Sequence, residues 1–235
     1  MLQRMQDRGE QIEVHLTMGA QTLAPARSHN VVAEIRGSEH PDEVIVMGGH
    51  IDSWDVGQGA MDDGGGAVAA WEALRLIKQL GVRPKRTVRV VLWTNEEIGL
   101  AGGTGYRDAH RSEVDKHVLA MESDNGVFRP LALQFGGPPE GMAAMQRIAS
   151  LLTAIGVDSA RVGGPEADVS PLFALGVPVA NTETDGSRYF WYHHSDADTM
   201  DKLDPVEVAK NAAILAVVAN TVANMEGTPG RVKAP

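Results

Sequence analysis

Three short, nearly continuous apolar runs, at residues 30–35, 44–47 and 88–93, constrain this chain more than any other feature. Runs that do not alternate with polar residues are what strands covered on both faces require, so they predict strands near the centre of a sheet. Between the second and third, Trp71, Leu74, Ile77 and Leu80 stand at helical spacing within residues 67–80, closed by Gly81 and by Pro84 shortly after. Strand, helix, strand is a crossover unit, which joins parallel strands and lays helices on the faces of their sheet. The rest follows the same grammar. Strands are predicted at 117–121, 131–135 and 177–181, with a helix at 141–155. A last helix opens on an N-cap at Asp204, a first-turn Pro205 and a capping-box Glu207, and runs to about Met225. Ile12, Val14 and Leu16 alternate with Glu13, His15 and Thr17, which predicts an edge strand with one wet face. The fold class is α/β: a mixed, mostly parallel central sheet flanked by helices.

Length and charge narrow the function. At 235 residues with 43% hydrophobic composition, the chain has the size of one domain with a core large enough for a catalytic pocket. Its 31 acidic against 21 basic residues give a net charge of −10, which opposes a phosphate backbone and an anionic membrane surface, so neither partner is expected. The longest all-apolar run, 212–219, is far short of the ~20 residues that span a bilayer, and residues 1–10 lack the apolar centre of an export signal. There is no cysteine, which excludes thiolate metal sites and cysteine nucleophiles and leaves eight histidines as nitrogen ligands.

Chemistry-bearing residues gather just beyond strand ends. His50 and Asp52 follow the second strand, Asp62 and Asp63 precede the long helix, Glu96 and Glu97 follow the third strand, and Asp124 follows the fourth. Open α/β sheets bind ligands outside the carboxyl ends of their strands, so these residues converge in one crevice. Such a cluster of carboxylates repels itself without cations. Asp, Glu and His without Cys suit Zn²⁺, and two ions sharing a carboxylate and a water would neutralise the charge. The glycine-rich stretch 57–66 lacks the Gly-Lys-Ser/Thr ending of a phosphate loop and reads as tight backbone packing beside Asp62. Asp168 and Ser170, beside Pro171, read as a turn or helix N-cap.

Residues 48–55, GGHIDSWD, with 57–64, GQGAMDDG, then Trp93-Thr94-Asn95-Glu96-Glu97, Glu122-Ser123-Asp124 and His193-His194-Ser195-Asp196-Ala197-Asp198-Thr199, resemble the cocatalytic zinc peptidases of the aminopeptidase Y and glutamate carboxypeptidase family. The motifs occur in that family's order across residues 30–225, and are most similar to its plasma glutamate carboxypeptidase, or carboxypeptidase Q, branch. The resemblance implies a zinc-dependent exopeptidase fold holding two Zn²⁺. Asp62 would bridge them, His50 and Asp124 would complete one site, and Glu97 and His194 the other. Glu96 would be the general base and Asp52 the partner of His50's second ring nitrogen. The Asp62–Asp63 bond would be cis. His194 rather than His193 is taken as the ligand because it stands four residues before Asp198-Thr199, matching the family's His-x-x-x-Asp-Thr ending.

The implied reaction is hydrolysis of dipeptides or short peptides from a free end, of the carboxypeptidase or dipeptidase type, with an aminopeptidase as the alternative because the metal cluster is the same in both. Arg188 and Tyr189, just before the histidine pair, are candidates for pairing a substrate carboxylate. Metal-free relatives of the fold act as binding scaffolds, against which the five intact ligands and the base argue; a cyclase on the same fold uses one zinc, against which retention of both His50 and Asp124 argues. Residues 1–28 are expected to be the remnant of a longer N-terminal part leading into a catalytic domain at 29–235. The resemblance points to a secreted or periplasmic full-length form and allows a homodimer.

Overall fold

The computed structural model describes residues 1–233. After a short exposed helix, α1 (Leu2–Asp7), the chain has no regular structure until β1 (Val31–Ile35). There follow β2 (His40–His50), α2 (Gly65–Gln79), β3 (Arg86–Trp93), α3 (Ala101–Ala109), β4 (His117–Glu122), β5 (Pro130–Gly136), α4 (Pro139–Ser150), β6 (Ala160–Val162), α5 (Ser170–Phe173), β7 (Val179–Thr184) and α6 (Pro205–Asn224). The strands form one sheet in the order β1-β3-β2-β4-β7-β5-β6. Pairings β1/β3 and β5/β7 are antiparallel and the other four are parallel, which is the mixed, mostly parallel sheet expected.

The period of two in the strands sorts residues into two cores. Ile45 and Met47 of β2 join Leu119, Met121, Leu133 and Phe135 beneath α2, α4 and α6. Val44 and Val46 join Trp93, Ala120 and Val179 on the other face, closed by Tyr106 of α3 and Leu172 of α5. Helix α6 starts where its cap predicts, with the Asp204 carboxylate accepting from the Val206 and Glu207 N–H groups at 2.8 and 3.3 Å. It has the length and apolarity of a membrane-crossing helix, but its Ile214, Leu215, Val218 and Val222 are fully buried in the protein core.

Three sequence expectations are corrected. Residues 12–17 form no strand, and Val14 and Leu16 are exposed, because alternation selects a face but supplies no neighbouring strand to pair with. Strand β1 is at the edge of the sheet rather than its centre; among the described residues only β3 pairs with it, and Val31 and Val32 stay half exposed. Trp71 and Leu80 of the α2 region face solvent, whereas Leu74 and Ile77 are buried, since the core stripe of α2 runs through its alanines 69, 70 and 73.

Topology fixes where a ligand goes. Strands β3, β2, β4 and β7 are parallel neighbours, so their carboxyl ends share one edge of the sheet. Helix α2, which joins β2 to β3, lies on one face, and α3, which joins β3 to β4, on the other. The chain thus switches faces at the adjacent ends of β2 and β4, which opens a crevice there.

Candidate metal centre

His50, the last residue of β2, is fully buried at that crevice. The chain then loops to a wide turn at Ala60–Gly64, where Asp62 and Asp63 leave helical geometry and the peptide bond between them is cis. Buried Asp63 fastens the turn: its carboxylate accepts from the His50 N–H at 3.0 Å and the Gly66 N–H at 3.2 Å. A Cβ on Gly49 or Gly66 would strike that carboxylate, so only glycine lets β2 and the start of α2 approach so closely. From the opposite side Asp198, also buried, accepts from the Met61 and Asp62 N–H groups at 2.6 and 3.1 Å. Asp62 is therefore clamped through its own main chain.

Two candidate ligand sets meet at Asp62. His50 Nε2 lies 3.0 Å from Asp62 Oδ1, 3.3 Å from Asp124 Oδ1 and 3.9 Å from Glu96 Oε2. His194 Nε2 lies 2.8 Å from Glu97 Oε2 and 3.5 Å from Asp62 Oδ2. One oxygen of Asp62 thus faces the His50–Asp124 side and the other the His194–Glu97 side. His50, Asp62 and Asp124 stand close enough to share one ion, and Asp62, His193 and His194 form a second such group. His193 Nε2 is 3.4 Å from Asp62 Oδ2; of the two adjacent histidines, His194 makes the close approach to Glu97 as well as facing Asp62.

Asp52 supports the centre through two different groups. Its main-chain carbonyl lies 2.9 Å from His50 Nδ1, while its carboxylate stands 3.7 Å from that nitrogen and accepts from the Glu96 and Glu97 N–H groups at 3.0 and 3.3 Å. Tyr189 borders a cavity of about 250 Å³ shared with Asn125, Gln134, Thr182 and Glu183, and its hydroxyl donates to the Asp124 carbonyl at 3.4 Å. Arg188 is exposed, with its guanidinium 5.6 Å from the centre of the Phe128 ring and outside that cavity's lining.

The electrostatics ask for positive charge. Burial lowers the His50 pKa, but its hydrogen bonds to Asp124 and Asp62 outweigh that and push it up to about 12. Burial, then the charge of Asp124, pushes Glu96 up to about 7. Burial, followed by Asp62, raises Glu97, and burial raises Asp124 against its bond to His50. Asp62 Oδ2 and Glu97 Oε1 are buried oxygens with no hydrogen-bond partner among the described residues. An unpartnered buried carboxylate oxygen is costly unless a cation meets it, and oxygen and imidazole donors without sulfur fit Zn²⁺.

Sequence reasoning missed several supporting groups. Asp198 was legible only as part of a motif ending, and nothing in its spacing announces that it holds the Asp62 turn. Glu122 and Asp168 are fully buried behind the site, where Glu122 accepts from the Asp168 and Val169 N–H groups at 2.9 and 3.2 Å. Burial, then Glu96, pushes Asp168 up to about 7; burial, then Asp168, raises Glu122 well above the carboxylate range. Ser170 opens α5 with its hydroxyl on the Ala167 carbonyl at 2.7 Å, a turn as expected.

The family profile described as peptidase family M28 matches residues 30–219. Carboxypeptidase Q of Rattus norvegicus is 47% identical over 226 residues, covering 96% of this chain and 48% of that protein, and the Xenopus laevis protein of the same name is 50% identical with the same coverage. The chain spans about half the length of these curated relatives. A peptidase M28 precursor from Shewanella amazonensis superposes with a TM-score of 0.81 at 40% identity, over 85% of this chain and 45% of that one. The zinc aminopeptidase BSAP of Bacillus subtilis shares the fold, with a TM-score of 0.64 at 20% identity over 80% of this chain and 48% of its own.

Proposed function

The chain belongs to peptidase family M28, and from that premise we propose that it is a metallo-exopeptidase which cleaves dipeptides or short peptides at a free end. The observation that carries this reading is the placement of Asp62, with one oxygen toward His50 and Asp124 and the other toward His194 and Glu97. These five residues would hold two Zn²⁺ with Asp62 shared between them. Such a pair, when bound, activates a shared water and polarises the scissile carbonyl.

The protein's own groups move the proton. Glu96 stands beside the first ligand set, 3.9 Å from His50 Nε2, within reach of a water held there, and a carboxylate so placed can accept a proton and return it. It takes the proton of the attacking water as the new C–O bond forms, then delivers it to the amine nitrogen as the C–N bond breaks. The products are a free carboxylate and a free amine. Asp52, by accepting from the main-chain N–H groups of Glu96 and Glu97, keeps base and ligand in register. Tyr189, beside Asn125 at a cavity of about 250 Å³, is the candidate we retain for contact with a substrate carboxylate.

The carboxypeptidase or dipeptidase type is supported by the 47–50% identity to proteins called carboxypeptidase Q. The experiment is release of amino acids from unblocked dipeptides by the zinc-loaded chain, with N-blocked and C-amidated versions alongside. Cleavage requiring a free carboxyl end supports the carboxypeptidase type; cleavage requiring only a free amine makes it an aminopeptidase. Glu96→Gln should keep its zinc and lose about 10²–10⁴-fold in turnover; near-normal turnover would remove Glu96 from the role of base.

A further inference from the structure

The ring of His194 is held between two others. The Trp54 indole lies parallel to it at 4.3 Å between centroids with 10° between planes, and the His193 imidazole lies at 3.6 Å with 18°. Two rings that close and that parallel cannot share one face, so His194 is sandwiched. The arrangement has a purpose that ordinary packing does not, because His194 is one of three non-glycine residues described at positive φ, at 56°. That conformation is uncommon for a residue with a Cβ and persists only where its surroundings hold it. His193 is in turn braced by Tyr189 and Phe190, at 5.0 and 5.5 Å between ring centroids, and its N–H donates to the Tyr189 carbonyl at 3.0 Å. Trp54 therefore holds the outer face of the His194 ring, and His193 the other.

We propose that Trp54 and His193 are positioning residues that clamp the His194 imidazole in the plane and direction that the second metal position requires, His193 acting through its ring face and not as a ligand. The inference rests on the reading of His194 and Glu97 as ligands. It extends that reading to residues from two distant loops, one after β2 and one after β7, which stack on opposite faces of this ring. Stacking of aromatic rings is worth enough to shift an equilibrium about 3- to 10-fold beyond simple burial. A ligand held in place before the metal arrives binds more tightly for the same contacts.

The test compares zinc affinity and cobalt(II) absorption spectra of the wild-type chain with Trp54→Ala, Trp54→Phe, His193→Ala and His193→Phe, using a chelator in competition. The expected result is two zinc equivalents throughout, one of them weakened about 3- to 10-fold in each alanine variant and restored in each phenylalanine variant, with a matching change and recovery in the cobalt spectrum. The phenylalanine variants separate a lost clamp from a misfolded loop. Wild-type affinity and spectrum in both alanine variants, with two zincs bound, would overturn the clamp and leave the metal centre intact. Loss of a whole equivalent in His193→Phe would make His193 a ligand and overturn its stacking role. A wild-type chain that took up no second zinc would remove the underlying reading, and the clamp with it.

Discussion

Replacing Asp198 tests how the proposed bridging residue, Asp62, is held. Its carboxylate is 3% exposed and accepts two main-chain N–H groups, of Met61 at 2.6 Å and Asp62 at 3.1 Å. Asp198→Ala strands both donors in the interior. Hydrogen bonds to a charged partner contribute ~1.5–3 kcal/mol each, so the variant should lose about 3–6 kcal/mol. For a domain of this size each kcal/mol moves the melting temperature by roughly 2–4 °C, which puts the minimum loss at about 6–12 °C. Asp198→Asn keeps one acceptor oxygen and should fall about midway. The assay is a thermal melt in excess chelator, so that metal loss adds nothing to the difference. Both variants melting within about 2 °C of the wild type would refute the claim that Asp198 fastens the Asp62 turn.

Other consequences are equally concrete. His117 is buried, its Nδ1–H facing the Glu113 carbonyl at 3.1 Å and its Nε2 the Tyr106 hydroxyl at 2.9 Å. Burial lowers it from the ordinary 6.5 to about 4, so the unfolded chain takes the proton first and about 3 kcal/mol of stability is lost as pH falls through that window. His117→Leu should melt with a flatter pH dependence between 6.5 and 4, and an unchanged slope would contradict this. In the metal-free chain Glu96 and Asp168 have raised folded-state values near 7, so their stabilisation is present below the ordinary carboxylate range and lost as pH rises to 7; the raised His50 continues the decline above 6.5. Zinc bound by His50, Asp62, Asp124, Glu97 and His194 would compete with protons at this site and should raise the melting temperature more at pH 7.5 than at pH 5; an equal rise at both would argue against binding there. Gly66→Ala drives a Cβ into the Ser123 carbonyl and the Asp63 carboxylate and should cost about 1–3 kcal/mol or more by overpacking, checked by the same melts.

The sheet was legible because its information is local. Val44 to Met47 and Val88 to Trp93 carry no polar alternation, and Asp204-Pro205 caps α6 with its own side chain. What the sequence left out is pairwise. Residues 30–35 have the composition of a central strand, and only the absence of a second neighbour makes β1 an edge. The alternation at Ile12, Val14 and Leu16 is equally real and finds no partner. Within the site, His50, Asp62 and Glu97 stood out because ligand chemistry restricts residue type, and a family motif ordered them. Asp198 and Trp54 act on atoms far away along the chain, the first on main-chain N–H groups 136 and 137 residues earlier. Nothing in their own neighbourhood records that.

The central claim is that one carboxylate, Asp62, lies between two metal positions. Calorimetric titration of the metal-stripped chain with Zn²⁺ at neutral pH tests it most directly. Two equivalents per chain, falling to one or none in Asp62→Ala, is the predicted result. A single equivalent in the wild type, or two that survive in Asp62→Ala, would contradict it.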